Sequence, residues 1–219
     1  MNMSDRINGA LDGIKVLDLT RILAGPLCAQ MLGDMGAEVL KVEPPGAGDD
    51  TRSWGPPFAG TESAYFLGIN RNKRSITLNM AAKPGQEILA ELVKQCDVLV
   101  ENFKAGTLEK WGFTNAWLEE NAPRVVRCSI TGYGTDGPKG GLPGYDFILQ
   151  AESGLMSICG ETDGDPMKYG VAIVDVTTGL LACNTILAAL NARHTTGRGQ
   201  HVEVSLYDSG LFMLANVAS

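Results

Sequence analysis

The stretch "IKVLDLTRILAGPLCAQMLGDMGAEVLKVE", Ile14 to Glu43, decides how this chain folds. "IKVLDL" reads as a buried strand. A helix follows from about Pro26, a residue that suits a first helical turn because it has no N–H to leave unpaired. It runs to Met35 and is ended by Gly36, and "AEVLKVE" is a second strand. Strand, helix of about ten residues and strand form a βαβ unit, whose right-handed crossover makes the two strands parallel.

Outward from that unit the alternation continues. Pro44 to Gly60 is rich in Pro and Gly and reads as a long loop, and "KRSITLNM" (73–80) is a short extended piece. A helix begins at Pro84, with Ile88, Leu89, Leu92 and Val93 on one face. "DVLVEN" is the next strand, Leu108 to Asn121 a short helical region, and "PRVVRCSITGYG" a strand ending in a glycine-rich turn. Gly144 to Gly160 reads as one apolar helix with an acid at its head. The loop "ETDGDPMKYG" and a long helix from Val176 to Arg193 follow, then the strand "RGQHVEVSL" and the start of another helix. This pattern predicts an α/β, doubly wound, mostly parallel Rossmann-like sheet with helices on both faces. Residues 1–10 read as a flexible polar terminus and 11–219 as one domain. Ligands of such folds bind at the carboxyl ends of the strands. Here those ends carry Thr20-Arg21, Glu43, Asn102-Phe103 and "TGYG" (131–134). Neither a classical dinucleotide fingerprint nor a G-x-x-x-x-G-K-[ST] phosphate loop is read in the sequence.

Asp175 stands out between Val174 and Val176 at the head of an apolar run, with Glu203 the next acid. One reading is a helix N-cap, whose side chain accepts hydrogen bonds from the free N–H groups of the first turn. The other is catalytic. A carboxylate held at a helix N-terminus is stabilised as the anion by the dipole, and a positioned anion can be a nucleophile.

Bulk properties narrow the function. A net charge of −7 argues against nucleic-acid binding, which needs a positive surface. No run of about 18 apolar residues free of charges and turn formers stands out, so no membrane span is expected. The first residues contain no apolar signal segment. Five cysteines (Cys28, Cys96, Cys128, Cys159, Cys183) are odd in number and widely spaced, each in apolar surroundings. They predict buried free thiols and a cytoplasmic setting. His194 and His201 are the only histidines, and no cluster has metal-ligand spacing, so no metal is expected.

From Leu11 onward the chain resembles the class III coenzyme A transferases, the CaiB/BaiF family. The resemblance rests on "LDGIKVLDLTRILAGPLCAQMLGDMGAEVLKVEPPGAGDDTRSWGPPF", "NRNKRSITLNM", "DVLVENFKAGTLEKWGF", "SITGYGTDGP", "GYDFILQAESGL" and "TGRGQHVEVSL", in that order. Within the family, "GDDTRSWGPPFAGTESAYFLGINRNKRSI" is most like the succinyl-CoA:dicarboxylate, glutarate type. The resemblance implies coenzyme A as substrate and product, an acyl-CoA and a carboxylic acid as partners, and Asp175 as the nucleophile. It implies that Arg21, Leu23, Ala24, Trp54, Tyr145 and Asp146 face the acceptor. A glutamine stands at the place of Leu23 in formyl-CoA transferases. It also implies CoA contacts at Ile22, Lys73, Arg74, Leu78, Asn102, Phe103, Lys110 and Lys139, while Pro44 replaces an arginine that contacts CoA in formyl-CoA transferases. The distal carboxylate of a dicarboxylic acceptor falls to Arg21 and Arg52, and an arginine buried without that partner would disfavour monocarboxylates. Family members also have a second half, with a small domain and a glycine-rich loop over the site. They form interlocked homodimers. This chain matches the amino-terminal half and is expected to work with a second copy or a complementary chain.

Two rival functions remain open on the sequence. A racemase on the same fold needs two acid–base groups, and racemases of the family carry a histidine where this chain has Tyr145. The other rival is a CoA-binding fragment without activity of its own.

Overall fold

The computed structural model describes residues 9–218. Most of the terminus expected to be flexible, residues 1–8, therefore lies outside the described residues. The chain begins as its sequence implies, with strand β1 (Lys15–Asp18), helix α1 (Ala24–Asp34) and strand β2 (Glu38–Glu43). After a loop come the two-residue strands β3 (Phe58–Ala59) and β4 (Glu62–Ser63), helix α2 (Ala64–Asn70) and strand β5 (Lys73–Thr77). Then follow α3 (Lys83–Lys94), β6 (Val98–Glu101), α4 (Thr107–Lys110), α5 (Asn115–Asn121) and β7 (Val126–Thr131). The last elements are α6 (Asp146–Glu152), α7 (Ile173–Thr196), β8 (His201–Ser205) and α8 (Leu206–Met213).

Six strands form one sheet in the order β5-β2-β1-β6-β7-β8, every neighbouring pair parallel. Val16 lies level with Val39 on one side and Val98 on the other. Alternate residues serve alternate faces, as a strand's period of two requires. Val16, Val98, Val100, Val126 and Cys128 pack against α1 and α7, and Leu17, Leu19, Leu99 and Val42 against α3 and the short helices. The strand order reverses between β1 and β6, and in doubly wound sheets that crevice is where ligands bind.

Several sequence readings need correction. The segment 144–160 is not one helix. Gly154 sits at φ +88°, a conformation that glycine alone takes without strain, so α6 ends at Glu152 and a separate 3-10 turn spans Leu155–Ile158. The loop 44–60 contains a 3-10 turn at Asp50–Ser53 and the start of the β3–β4 hairpin. Helix α2, unread in the sequence, follows that hairpin and is capped by Ser63 Oγ, which accepts from the Phe66 N–H at 3.3 Å. The helical region 108–121 divides into α4 and α5. Cys96 and Cys159 are only half-buried, although all five thiols are free and Cys28, Cys128 and Cys183 are buried. Helix α7 has the length and composition of a membrane span, a test that the buried core helices of soluble proteins also pass. In this fold Val174, Ala182, Ile186 and Leu190 bury it in the core.

Candidate active site

At the reversal point the turns after β1 and β6 are tied together through one side chain. Asn102 Oδ1 accepts from the Arg21 N–H at 3.0 Å, and Asn102 Nδ2 donates to the Arg21 carbonyl at 2.8 Å. Both backbone polar groups of Arg21 are thereby satisfied across the crevice. The next residue, Ile22, has φ +73°, an outlier for a β-branched side chain. Such strain persists only where surroundings over-determine it. Here Asn102 holds one side, and Asp49 Oδ1 accepts from the Ile22 N–H at 3.4 Å on the other. Asp49 is itself fixed by a fully buried ion pair with Lys41 at 2.9 Å, and Lys41 Nζ also donates to the Thr20 carbonyl at 2.7 Å. The strained turn leads into α1 and delivers Ile22, Leu23 and Ala24 to the wall of a cleft of about 190 Å³.

Asp175 enters the same cleft from α7. It is placed there by close helix packing. Gly179, one turn further along α7, lies so near the Ala24 carbonyl that an added Cβ would sit 2.8 Å from that oxygen. The absent side chain lets the start of α1 meet the start of α7, and residues four apart share a helix face. Asp175 is not the N-cap read from the sequence. Helix α7 starts at Ile173 behind Ala172, and Asp175 lies inside its first turn. The cap comes from another helix. Asp146 Oδ2, at the head of α6, accepts from the N–H groups of Val174 at 2.8 Å and Asp175 at 3.1 Å. Asp146 does not cap its own helix, whose N-cap is Tyr145. Gln150 steadies Asp146 by donating from Nε2 to Oδ1 and accepts from the Tyr169 N–H at 2.9 Å.

This arrangement sets the charge of Asp175. Burial, with the Asp146 carboxylate alongside, pushes its carboxyl up to about 7. The expectation that the helix N-terminus keeps it fully ionised is therefore corrected. The free N–H groups of the first turn serve Asp146, so the dipole's benefit goes there. An Asp titrating near neutrality in a cleft has the properties of a reacting group rather than of a cap.

The other implied residues sort as follows. Arg21, Ile22, Leu23, Ala24, Asn102, Phe103 and Tyr145 line the cleft with Asp175. A second, apolar cleft of about 250 Å³ shares Arg21, Asp50 and Phe103 with the first and adds Pro44, Leu78, Met80 and Trp111. Trp54 reaches the site only through Tyr65, on whose ring it packs edge-on at 5.3 Å between centroids. Tyr65 was missed in the sequence because α2 was. Burial, then the charges of Asp175 and Asp146, lift its hydroxyl to about 12. Lys104 was also missed. It lines the first cleft and forms no ion pair among the described residues. Its position directly after "ENF" at the end of β6 was the available signal.

Five cations are not where they were expected. Lys73 Nζ is buried and donates to Asp18 Oδ2 (2.9 Å), the Pro26 carbonyl (2.8 Å) and Asn70 Oδ1 (2.9 Å), so it has no donor left for a phosphate. Arg74, the second residue of β5, points to solvent beside Glu38 at 3.5 Å, outside both clefts. Lys110, exposed at the end of α4, lines neither cleft. Lys139 pairs with Glu152 and lies over the Tyr133 ring. Arg52 grips Glu43 through two bonds of 2.7 Å and covers Phe66. Burial alone would raise Glu43, but hydrogen bonds from Arg52, Ser75 and the Asp49 N–H bring it down to about 2. Arg52 is therefore a clamp on the loop after β2, not a free guanidinium.

"GYGTDG" (132–137) after β7 has the G-x-G-x-x-G spacing of a dinucleotide fingerprint. No helix begins there, however. The next one is α6 at Asp146, so no helix N-terminus follows to hold a pyrophosphate. Neither histidine lines the two clefts. His201 lies 2.8 Å from Ser129 Oγ, and His194 is exposed near the end of α7. Among the described residues no group of three or more His, Cys, Asp or Glu could hold a metal.

Comparison with known proteins gives consistent matches. The sequence profile of CoA-transferase family III matches residues 11–219. Succinyl-CoA:glutarate CoA-transferase of Mus musculus is 51% identical over 209 residues, covering 95% of this chain and 48% of that protein. Succinate–glutarate CoA-transferase of Agrobacterium fabrum is 46% identical over 212 residues, covering 94% of this chain and 53% of that one. The crystal structure of a CAIB/BAIF family protein from Brucella suis superposes with a TM-score of 0.92 at 46% identity, over 96% of this chain and 57% of that one. The chain thus spans about half the length of the curated relatives it matches.

Proposed function

Because the chain belongs to CoA-transferase family III, we propose that it carries the nucleophile and CoA-binding part of an enzyme that moves coenzyme A between carboxylic acids. The donor is succinyl-CoA and the acceptor a short dicarboxylic acid such as glutarate. The observation that carries this reading is Asp175, a carboxyl titrating at about 7 in a cleft beside the reversal point of the sheet.

Asp175 in its ionised form attacks the thioester carbonyl, and the thiolate of CoA leaves, giving a mixed anhydride of Asp175 and the donor acid. The thiolate then attacks the aspartyl carbonyl. The donor acid departs and Asp175 becomes a CoA thioester. The acceptor carboxylate attacks that thioester, forming a second anhydride and freeing the thiolate, which attacks the acceptor acyl carbon. A new acyl-CoA leaves and Asp175 returns as a carboxylate. Anhydrides hydrolyse, so the site must exclude water, and the burial that raises the Asp175 pKa supports that condition. The adenine end of CoA suits the apolar cleft of Leu78, Met80, Phe103 and Trp111. Lys104 is the cation best placed for its phosphates, in place of Lys73, Arg74 and Lys139.

The names of the relatives at 51% and 46% identity support the glutarate choice. Within the site the dicarboxylate reading now rests on Arg21, and Arg21 is exposed and paired, so it gives no penalty of unmet charge to monocarboxylates. A homodimer or complementary chain and a cytoplasmic setting complete the proposal. The test is trapping. The intact protein, treated with acyl-CoA and then hydroxylamine or borohydride, should be modified at Asp175 alone by peptide mass mapping. Modification of a different carboxylate would refute the assignment.

A further inference from the structure

The charged side chains around the turn after β1 are not all alike. Lys41, Lys73 and Arg52 have their charges locked against Asp49, Asp18 and Glu43. Arg21 differs. Among the described residues its one ion pair is with Asp50, Nη1 to Oδ2 at 3.1 Å, with the two side chains 60% and 51% exposed. Its backbone is held on both sides by Asn102, so the guanidinium can change partner without disturbing the turn. The pair also stands at a particular place. Both residues line the cleft that contains Asp175, and both line the apolar cleft beyond it.

We propose that Asp50 is a specificity-determining residue, a built-in carboxylate that occupies Arg21 in the empty site and gives it up to the distal carboxylate of the acyl group. This deepens the reading above and rests on it, since it presumes that Asp175 exchanges CoA between acids. A guanidinium can take a carboxylate with two parallel hydrogen bonds, whereas Asp50 makes one. An exposed pair contributes little free energy, so an incoming carboxylate displaces it at small cost. Two consequences follow. A monocarboxylate leaves Arg21 paired with Asp50, so preference for a dicarboxylate comes from the second hydrogen bond its distal carboxylate makes to Arg21, not from stranding an unpaired charge. Once displaced, Asp50 remains a like charge near a dianionic substrate and weakens its binding. Removing the charge of Asp50 should therefore sharpen the preference for a second carboxylate.

The experiment compares glutarate with valerate, an acceptor of equal chain length lacking the distal carboxylate, in the intact protein with succinyl-CoA as donor. Asp50→Asn should lower KM for glutarate relative to valerate by about two- to fivefold, the range open to an exposed pair. Asp50→Ser repeats the comparison without an amide able to bond Arg21. Arg21→Ala should remove the glutarate advantage, and adding Asp50→Asn to it should change the ratio no further. Glutarate titrations followed by thermal shift, without turnover, should rank the variants in the same order. If Asp50→Asn and Asp50→Ser leave the ratio unchanged while Arg21→Ala raises it, the role of Asp50 is overturned and the function stands. If the unaltered protein transfers CoA to neither acid, the functional reading itself falls, and this inference with it.

Discussion

Asp175 carries the most informative single-residue prediction, because it affects stability and activity in opposite senses. Its carboxyl is raised from 3.8 to about 7 in the folded state. Between those values the folded protein binds more protons than the unfolded chain, so stability falls as pH rises from about 4 to 7 and is level above. Asp175→Asn removes that loss. Urea denaturation should show the variant equal to the parent at pH 4 and more stable at pH 8, by on the order of 1–3 kcal/mol for a half-buried site. Its turnover should fall by several orders of magnitude. Activity has the other sign. The nucleophile is the ionised form, so the rate of anhydride formation should rise with pH through about 7 and then level off. A flat profile from pH 5 to 9 would contradict that assignment. The sequence made Asp175 conspicuous, an acid inside an apolar run, but left cap and nucleophile open. Only the position of Asp146, 29 residues earlier, removed the cap reading.

At the scale of elements, the heads of α1, α6 and α7 work as a unit. Asp146 supplies the cap that α7 lacks and, beside the larger effect of burial, a charge that raises Asp175. Asp146→Asn keeps an acceptor oxygen and loses the charge, so the inflection of the pH–rate profile should move to lower pH while the fold persists. Asp146→Ala loses both and should cost about 1–2 kcal/mol through the uncapped helix. An inflection unmoved by Asp146→Asn would show that burial alone sets the Asp175 pKa. The contact of Gly179 with Ala24 gives a second check. Gly179→Ala must separate α1 from α7, and overpacking of that kind costs about 1–3 kcal/mol. Because the same contact aims Asp175, turnover should drop more than stability does. Helix α2 shows what the sequence left hidden at this scale. It has 7 residues in a stretch rich in Gly and Pro, too short for a periodic pattern, and with it went Tyr65.

Over the whole molecule, a set of large apolar side chains has no cover. Phe147 and Ile148 on α6, Leu211 and Phe212 on α8, and Val171 ahead of α7 are 42–62% exposed. Exposed large apolar side chains, where they form a contiguous patch, are the kind of surface that interfaces cover. The relatives, about twice as long, have material to provide one. The 219-residue chain should bind an apolar dye strongly, and weak binding would mean that this face is already covered.

The βαβ unit at Ile14–Glu43, the parallel sheet and the helices on both faces were readable in the sequence, because apolar periodicity and turn residues act over a few positions. The line of residues at the strand ends was readable for the same reason, and Arg21, Asn102, Phe103 and Asp175 do meet in one cleft. The fates of the cations were not. Whether Lys73 or Arg52 reaches a ligand depends on which acids surround it, and Asp18 lies 55 residues from Lys73. Local sequence carries no record of that distance in space. The Asp175 pKa is likewise a sum of burial and a neighbour's charge. Both are properties of packing, so only the tertiary structure could decide them.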